Sequence, residues 1–194
     1  MKVITKLCDL NFSQKYTYAD YLNWKLMERL ELIKGKVFPI EANFNMLHQK
    51  VSWKLSGILF YYFKNQSCSA FAAPFDVRLI KKSKADQKVT TVVQPDICVV
   101  CDDTKLDEKG CIGAPDFIIE IVSPGNSKIE LKTKMNLYEE NGVLEYWVIH
   151  PLECSVQQFY LDNNKYKFVA TFFNDDVIKS KIFKGLSVNL SEVF

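Results

Sequence analysis

Glycine is scarce in this chain, with 7 residues in 194, and histidine scarcer, with 2. So few glycines predict a domain dense in regular elements with short turns. No glycine-rich phosphate loop and no Gly-x-Ser-x-Gly elbow occurs, so nucleoside-triphosphate and serine-hydrolase chemistry lack support. No run approaches the roughly 18–20 apolar residues of a membrane span. The N-terminal MKVITKLCDLNFSQ has neither the long apolar segment nor the small-residue cleavage site of a signal peptide. Internal repeats and low-complexity stretches are absent too. A strong charge of one sign is missing: 25 basic and 23 acidic residues leave +2, so only a local patch could serve a polyanion. The six cysteines, at 8, 68, 98, 101, 111 and 154, read without signs of secretion as reduced thiols of a cytoplasmic protein. Cys98 and Cys101 form a C-x-x-C on an extended run, where positions three apart point to opposite faces. No second pair stands at zinc spacing.

What is present is globular: 48% hydrophobic, 25% charged and 13% aromatic residues. The length predicts one domain over 1–194, with 1–15 an N-terminal extension. Thr17 and Asp20 give a capping pattern before a helix reaching about Lys25. The alternation of Arg29 to Ile33, the Lys34-Gly35 turn and the extended run to Ile40 predict a hairpin. Leu47, Val51, Leu55, Ile58 and Tyr62 recur at helical steps and place a helix over 45–65. Strands follow at 68–74 and 75–80, then a lysine-rich loop. TVVQPDICVVC, from Thr91 to Cys101, reads as one central strand, and 102–115 as a polar loop. DFIIEIV (116–122), a helix from Lys128 to about Glu140 and EYWVI (145–149) form a parallel crossover. A late hairpin turns at Asp162-Asn163-Asn164, and the remainder is a short strand and tail. This order is α/β with a mixed sheet.

Two residues conflict with their surroundings. Asp96 stands inside TVVQPDICVVC and Glu120 inside DFIIEIV. A buried carboxylate must be paired, protonated or bound to a metal, and local rules fail preferentially at functional sites. One reading is two structural ion pairs. The other brings both carboxylates to one face, as hard oxygen ligands for Mg²⁺, with a nearby lysine stabilising a phosphoryl transition state. That chemistry suits phosphodiester hydrolysis.

Gln94-Pro95-Asp96, followed 24 positions after Asp96 by Glu120-Ile121-Val122, resembles the PD-(D/E)XK nuclease signature, with Val122 where lysine is usual. The ordered segments YTYADYL, LELIKGKV, LHQKVSWKL, VQPDICVV, APDFIIEIVSPGNS, KMNLYEENGVLEYWVI and GLSVNL resemble the Uma family of restriction-endonuclease-like proteins, from about residue 16 to the C-terminus. The resemblance implies a restriction-endonuclease-like fold: a mixed central β-sheet flanked by helices, with an additional β-hairpin layer. It also implies an endonuclease using Mg²⁺, for which Mn²⁺ can substitute, acting on DNA, with RNA as the alternative substrate. Asp96 and Glu120 would hold the metal with the Ile121 carbonyl, joined by Glu31 from the first hairpin. The missing lysine would move to Lys134 on the helix after the glutamate strand, with Lys132 and Lys128 as alternatives. Glu130 and Leu131 depart in part from the family pattern. His48 matches a histidine at the start of the family's long helix, as a phosphate contact or structural residue.

A physical argument singles out Lys134. Leu131, Met135 and Tyr138 form the helix's apolar stripe, and Lys134 sits at its edge, where its stem can lie on apolar surface and its ammonium reach the carboxylates. Lys81, Lys82 and Lys84, extended by Arg78, form either a solvated loop tip or a phosphate-backbone contact. Trp24, Trp53 and Trp147 read as core or interface residues. Phe159, Tyr160, Tyr166, Phe168, Phe172 and Phe173 on the late hairpin suggest a homodimer, which would supply two sites for two strands. A non-catalytic nucleic-acid-binding or dimerisation module with the same fold is the competing reading.

Overall fold

The computed structural model describes residues 3–40, 45–80, 83–123 and 128–194, and the side chains of all of these except 128–130. Lys81 and Lys82 therefore lie outside the described residues, as do the side chains of Lys128 and Glu130.

Thr17 caps the short helix α1 (Tyr18–Tyr21) in a reciprocal box with Asp20. β1 (Leu30–Ile33) and β2 (Lys36–Pro39) pair antiparallel around Lys34-Gly35, both with positive φ. Asn45 caps α2 (Met46–Phe63) by accepting the His48 amide. The buried stripe of α2 is His48, Val51, Leu55, Leu59 and Phe63. This is rotated slightly from the expected stripe, so Leu47, Ile58 and Tyr62 are only half-buried.

The chain continues through β3 (Ser69–Ala72), β4 (Val77–Arg78), β5 (Val92–Val93), β6 (Ile97–Val100), β7 (Leu106–Asp107), β8 (Gly110–Ile112) and β9 (Phe117–Ile121). Next come α3 (Lys128–Asn141), β10 (Glu145–His150), β11 (Ser155–Asp162), β12 (Lys165–Phe173), β13 (Val177–Lys179) and β14 (Ser187–Asn189). Gly142, at φ +85°, ends α3 in the left-handed conformation that glycine adopts without penalty.

Two six-stranded sheets result, ordered β2-β1-β5-β4-β8-β7 and β12-β11-β10-β9-β6-β3, with β13-β14 as a separate ribbon. The first hairpin is thus the edge of the first of these, a full six-stranded sheet and not an added hairpin layer. The expected polar loop at 102–115 supplies two strands of that sheet. β9 and β10 pair in parallel across α3, as their connection requires. One face of the second sheet packs on α2 through Val51, Leu55, Phe117, Ile119 and Trp147. The other faces the first sheet and α3 through Ile33, Val93, Ile118, Tyr138 and Tyr146.

The single strand expected over Thr91–Cys101 is a correction. Gln94-Pro95-Asp96 divides it into β5 in the first sheet and β6 in the second. Pro95 offers no N–H to a ladder, so the chain changes sheets there. Asp96 sits at this crossing, one residue before β6.

The cysteine expectation is corrected too. β3 and β6 pair antiparallel with Ser69 opposite Val100, and one step outward Cys68 and Cys101 form a disulfide. Cys8, Cys98, Cys111 and Cys154 are free. Among the described residues no helix is long and apolar enough to cross a membrane.

Candidate active site

Strand alternation aims Glu31 and Glu120 at each other. Glu31 shares its face of β1 with Ile33, and Glu120 shares its face of β9 with Ile118. Ile33 and Ile118 belong to one core, between the sheets and under α3. α3 places Lys134 above that gap. Its ammonium lies 3.1 Å from Glu31 Oε1, 3.1 Å from Glu120 Oε1 and 3.3 Å from Glu120 Oε2. All three residues are buried. One turn along the helix, the Tyr138 hydroxyl donates to Glu120 Oε1. The Tyr138 ring meets Tyr146 edge-on at 5.3 Å.

Asp96 reaches the same place from the sheet crossing. Its Oδ2 accepts the Ile121 N–H at 2.7 Å, and its Oδ1 lies 3.1 Å from His48 Nε2 on the first turn of α2. Ile121 thus touches the acidic cluster through its amide. Gln94 braces the other side. Its N–H donates to Glu31 Oε1 at 2.9 Å, its side-chain oxygen accepts Arg29 Nε at 2.8 Å, and its amide nitrogen donates to Asp76 at 2.8 Å.

Three carboxylates face one ammonium. Burial, opposed by Lys134 but reinforced by Asp96 and Glu31, pushes the Glu120 carboxyl up to about 7. Burial alone would lower Lys134, but the attraction of Glu120, Glu31 and Asp96 outweighs it and holds the ammonium well above its usual range. Tyr138 is likewise raised, by burial and then by Glu120 and Glu31, and stays a proton donor.

A divalent cation suits this donor set in its chemistry: hard oxygens and an excess of negative charge in a water-poor place. Among the described residues, no group of three or more His, Cys, Asp and Glu side chains stands arranged around a common ion position. The ammonium already lies between Glu31 and Glu120, and both Asp96 oxygens have partners.

Of the remaining expected site residues, Lys84 is exposed on the loop from 83 to 88, and Lys132 is exposed on α3. Two expectations of phosphate contact are corrected. Arg78 is 1% exposed, with its guanidinium bound to Asp107 and to the carbonyls of Cys111 and Gly110. Burial in β4 turns its long side chain inward, where neighbouring strands satisfy it. His48 is buried against Asp96 and has no surface to offer a phosphate.

Tyr138 and Gln94 escaped the sequence reading. Tyr138 follows Lys134 by four residues on one helix face, a spacing that puts it beside the same partner. Gln94 lies within the Gln-Pro-Asp string itself, but its brace on Glu31 depends on β1–β5 pairing.

Two mixed sheets, with an acidic cluster and a lysine between them, define a nuclease-like α/β protein. A crystal structure from Anabaena variabilis ATCC 29413, described as a "putative nuclease belonging to DUF820", is similar in fold. Its TM-score is 0.71 at 21% identity, over 92% of this chain and 97% of that one. Residues 18–191 match the model of the Uma2 family, described as "Putative restriction endonuclease", and the chain belongs to that family. No curated protein matches it.

Proposed function

We propose that the chain is a Mg²⁺-dependent endonuclease that hydrolyses phosphodiester bonds in DNA. The observation that carries this reading is the convergence of Glu31, Asp96, Glu120 and Lys134 from four separate segments into one cluster, buried except for the half-buried Asp96. Asp96 and Glu120 would hold the metal, joined by Glu31 directly or through water and by the carbonyl of Ile121. Mn²⁺ would serve in place of Mg²⁺. When bound, the metal supplies Lewis-acid polarisation of a phosphoryl oxygen and a more acidic water.

The protein's own groups do the rest. The Lys134 ammonium stays charged and counters negative charge on the phosphate. Tyr138 fixes the rotamer of Glu120 through its hydroxyl. The Ile121 N–H and His48 hold Asp96. Lys84, which with Lys88 makes up the described lysines of the 81–88 stretch, is exposed and would touch the phosphate backbone.

The experiment is cleavage of supercoiled plasmid and of a matched RNA, with Mg²⁺, Mn²⁺ or chelator, by the wild type and Glu120→Gln. Metal-dependent cutting of plasmid that Glu120→Gln loses supports the reading. RNA cutting alone would reassign the substrate. No cutting of either, with metals that bind nowhere, would contradict it.

The second reading, a non-catalytic module that binds nucleic acid or dimerises, has its own observation. Lys134 pairs with both glutamates, so the cluster partly neutralises itself without an ion.

A further inference from the structure

The outward face of α2 is apolar where solvent should favour polar side chains. Met46 is 78% exposed, Trp53 82%, Phe60 69% and Tyr61 72%. Met46, Trp53 and Phe60 recur every seven residues, directly opposite the buried Val51–Leu55–Leu59 stripe. Lys50, Gly57 and Lys64 interleave with them at the same spacing. A seven-residue apolar repeat on a helix surface is the pattern of a helix–helix seam, and an exposed patch of this kind marks a partner site.

We propose that this face seats a second copy of the same chain, in an isologous dimer whose two α2 helices run antiparallel. Trp53 of each copy would lie over Gly57 of the other. Three observations favour a second copy over any other occupant.

The first is shape. A two-fold contact needs a projection and a recess on the same patch. Trp53 is the projection. Gly57, one turn on, is the recess: a Cβ built there meets nothing within 4 Å, so the space above its backbone is open. A two-fold axis midway between them sets each over the other.

The second is charge. α2 contains no Asp or Glu, so its lysines find no acidic partner on the helix. A parallel pairing would stack Lys50 on Lys50 and Lys64 on Lys64. The antiparallel register about the Trp53–Gly57 midpoint sets Lys50 against Phe60 and Lys64 against Met46. Lysine over an aromatic face is attractive, and Lys64 already lies 4.0 Å from the Tyr61 ring centre. Lys50 and Lys54 donate to the Phe194 carbonyl at 2.6 and 3.4 Å, which holds their charge at the edge of the seam, so Lys50 would meet Phe60 through its stem.

The third is area. Large aromatic side chains bury roughly 150–250 Å² each. Trp53, Phe60 and Tyr61, with Met46, supply most of the roughly 800 Å² per partner of a standard stable interface. This moves the expected dimer contact from the late hairpin to α2. It stands apart from the nuclease reading, since none of these side chains touches the acidic cluster.

The test is the mass of the full chain by light scattering across micromolar concentrations, with Trp53→Ala, Gly57→Leu and, as a control, Phe168→Ala on the late hairpin. All three positions are surface sites, and circular dichroism checks that each variant folds. The wild type should weigh twice 22.5 kDa. Trp53→Ala and Gly57→Leu should each weaken dimerisation about thirtyfold or more, the loss typical of a central hot spot, and Phe168→Ala should leave it unchanged. A monomeric wild type, an open-ended series of larger species, or a dimer that only Phe168→Ala disrupts would each overturn the proposal. So would a monomer whose Trp53→Ala variant loses affinity for single-stranded DNA, which would make the stripe a base-stacking surface.

Discussion

Glu120 and Glu145 stand in adjacent parallel strands and both are buried, yet their surroundings differ in kind. Glu145 is saturated by neutral donors. Oε1 accepts Trp147 Nε1 and Gln158 Nε2 at 2.7 Å each, and Oε2 accepts Ser180 Oγ at 2.6 Å and the amides of Lys181 and Ile182 at 2.9 and 3.2 Å. These contacts tie β10 and β11 to the segment after β13, and leave no capacity for a ligand. Glu120 instead shares an ammonium with Glu31, takes one phenolic hydroxyl and faces a third carboxylate. Burial of a carboxylate therefore does not identify a site. The identity of its partners does: fixed neutral dipoles make a fastener, whereas like charges crowded around one shared ammonium leave Glu120 without a full set of donors.

The largest expected effect separates the two glutamates by activity. On the proposed function, Glu120→Gln and Asp96→Asn should each cut DNA at least a thousandfold more slowly, since each would remove a metal ligand as well as charge. A conservative change at Glu145 should alter cleavage only in proportion to the folded fraction. Next in size, Lys134→Met should slow cleavage about a hundredfold or more, the usual loss when one group stabilising developing charge is removed, while metal binding persists. Unchanged rates in Lys134→Met would remove lysine from the chemistry.

The order reverses for stability. Glu145→Ala strands several buried donors, each costing about 1–3 kcal/mol when unsatisfied, so denaturant unfolding should show a loss of several kcal/mol. Glu120→Gln should cost far less and should respond to pH. The fold raises the Glu120 carboxyl from its ordinary 4.5 to about 7, so the protonated form is favoured in the folded state. Its contribution is full below about 4.5 and is lost as pH rises through 7. In chelator, the wild type should lose stability relative to Glu120→Gln between pH 5 and 8. A constant difference across that range would contradict the crowding of charge. The smallest effect is expected from Tyr138→Phe, which removes one hydrogen bond from Glu120 and should slow cleavage roughly tenfold, in line with about 1.4 kcal/mol per factor of ten.

The contrast between the glutamates was only half legible in the sequence. Glu120 stood out because a charge interrupts an apolar run, whereas Glu145 heads its strand and draws no notice. Trp147 is its neighbour two positions along the same strand, but its other four partners, from residues 158 to 182, meet it only through tertiary packing. Lys134 was legible because one helix geometry, beginning just after the glutamate strand, places it. Local elements with caps or periodicity were legible too: α2, the β1–β2 hairpin, the β9–α3–β10 crossover and the capped start of α1, although α1 ends at Tyr21 and not near Lys25. The division of Thr91–Cys101 between two sheets was signalled by Pro95, but the apolar run around it outweighed that signal. Arg78 reads locally as an outward strand residue, and only partners some 30 positions on, Asp107 and the Gly110 and Cys111 carbonyls, explain its burial. Cys68 and Cys101 are 33 apart and meet through β3–β6 register alone.

The most direct test of the central claim is calorimetric titration of Mn²⁺ into the purified chain and into Glu120→Gln. Saturable binding to one site is expected in the wild type, abolished or weakened at least tenfold in the variant. Equal binding in both, or no saturable binding to a wild type that nevertheless cuts DNA, would contradict it.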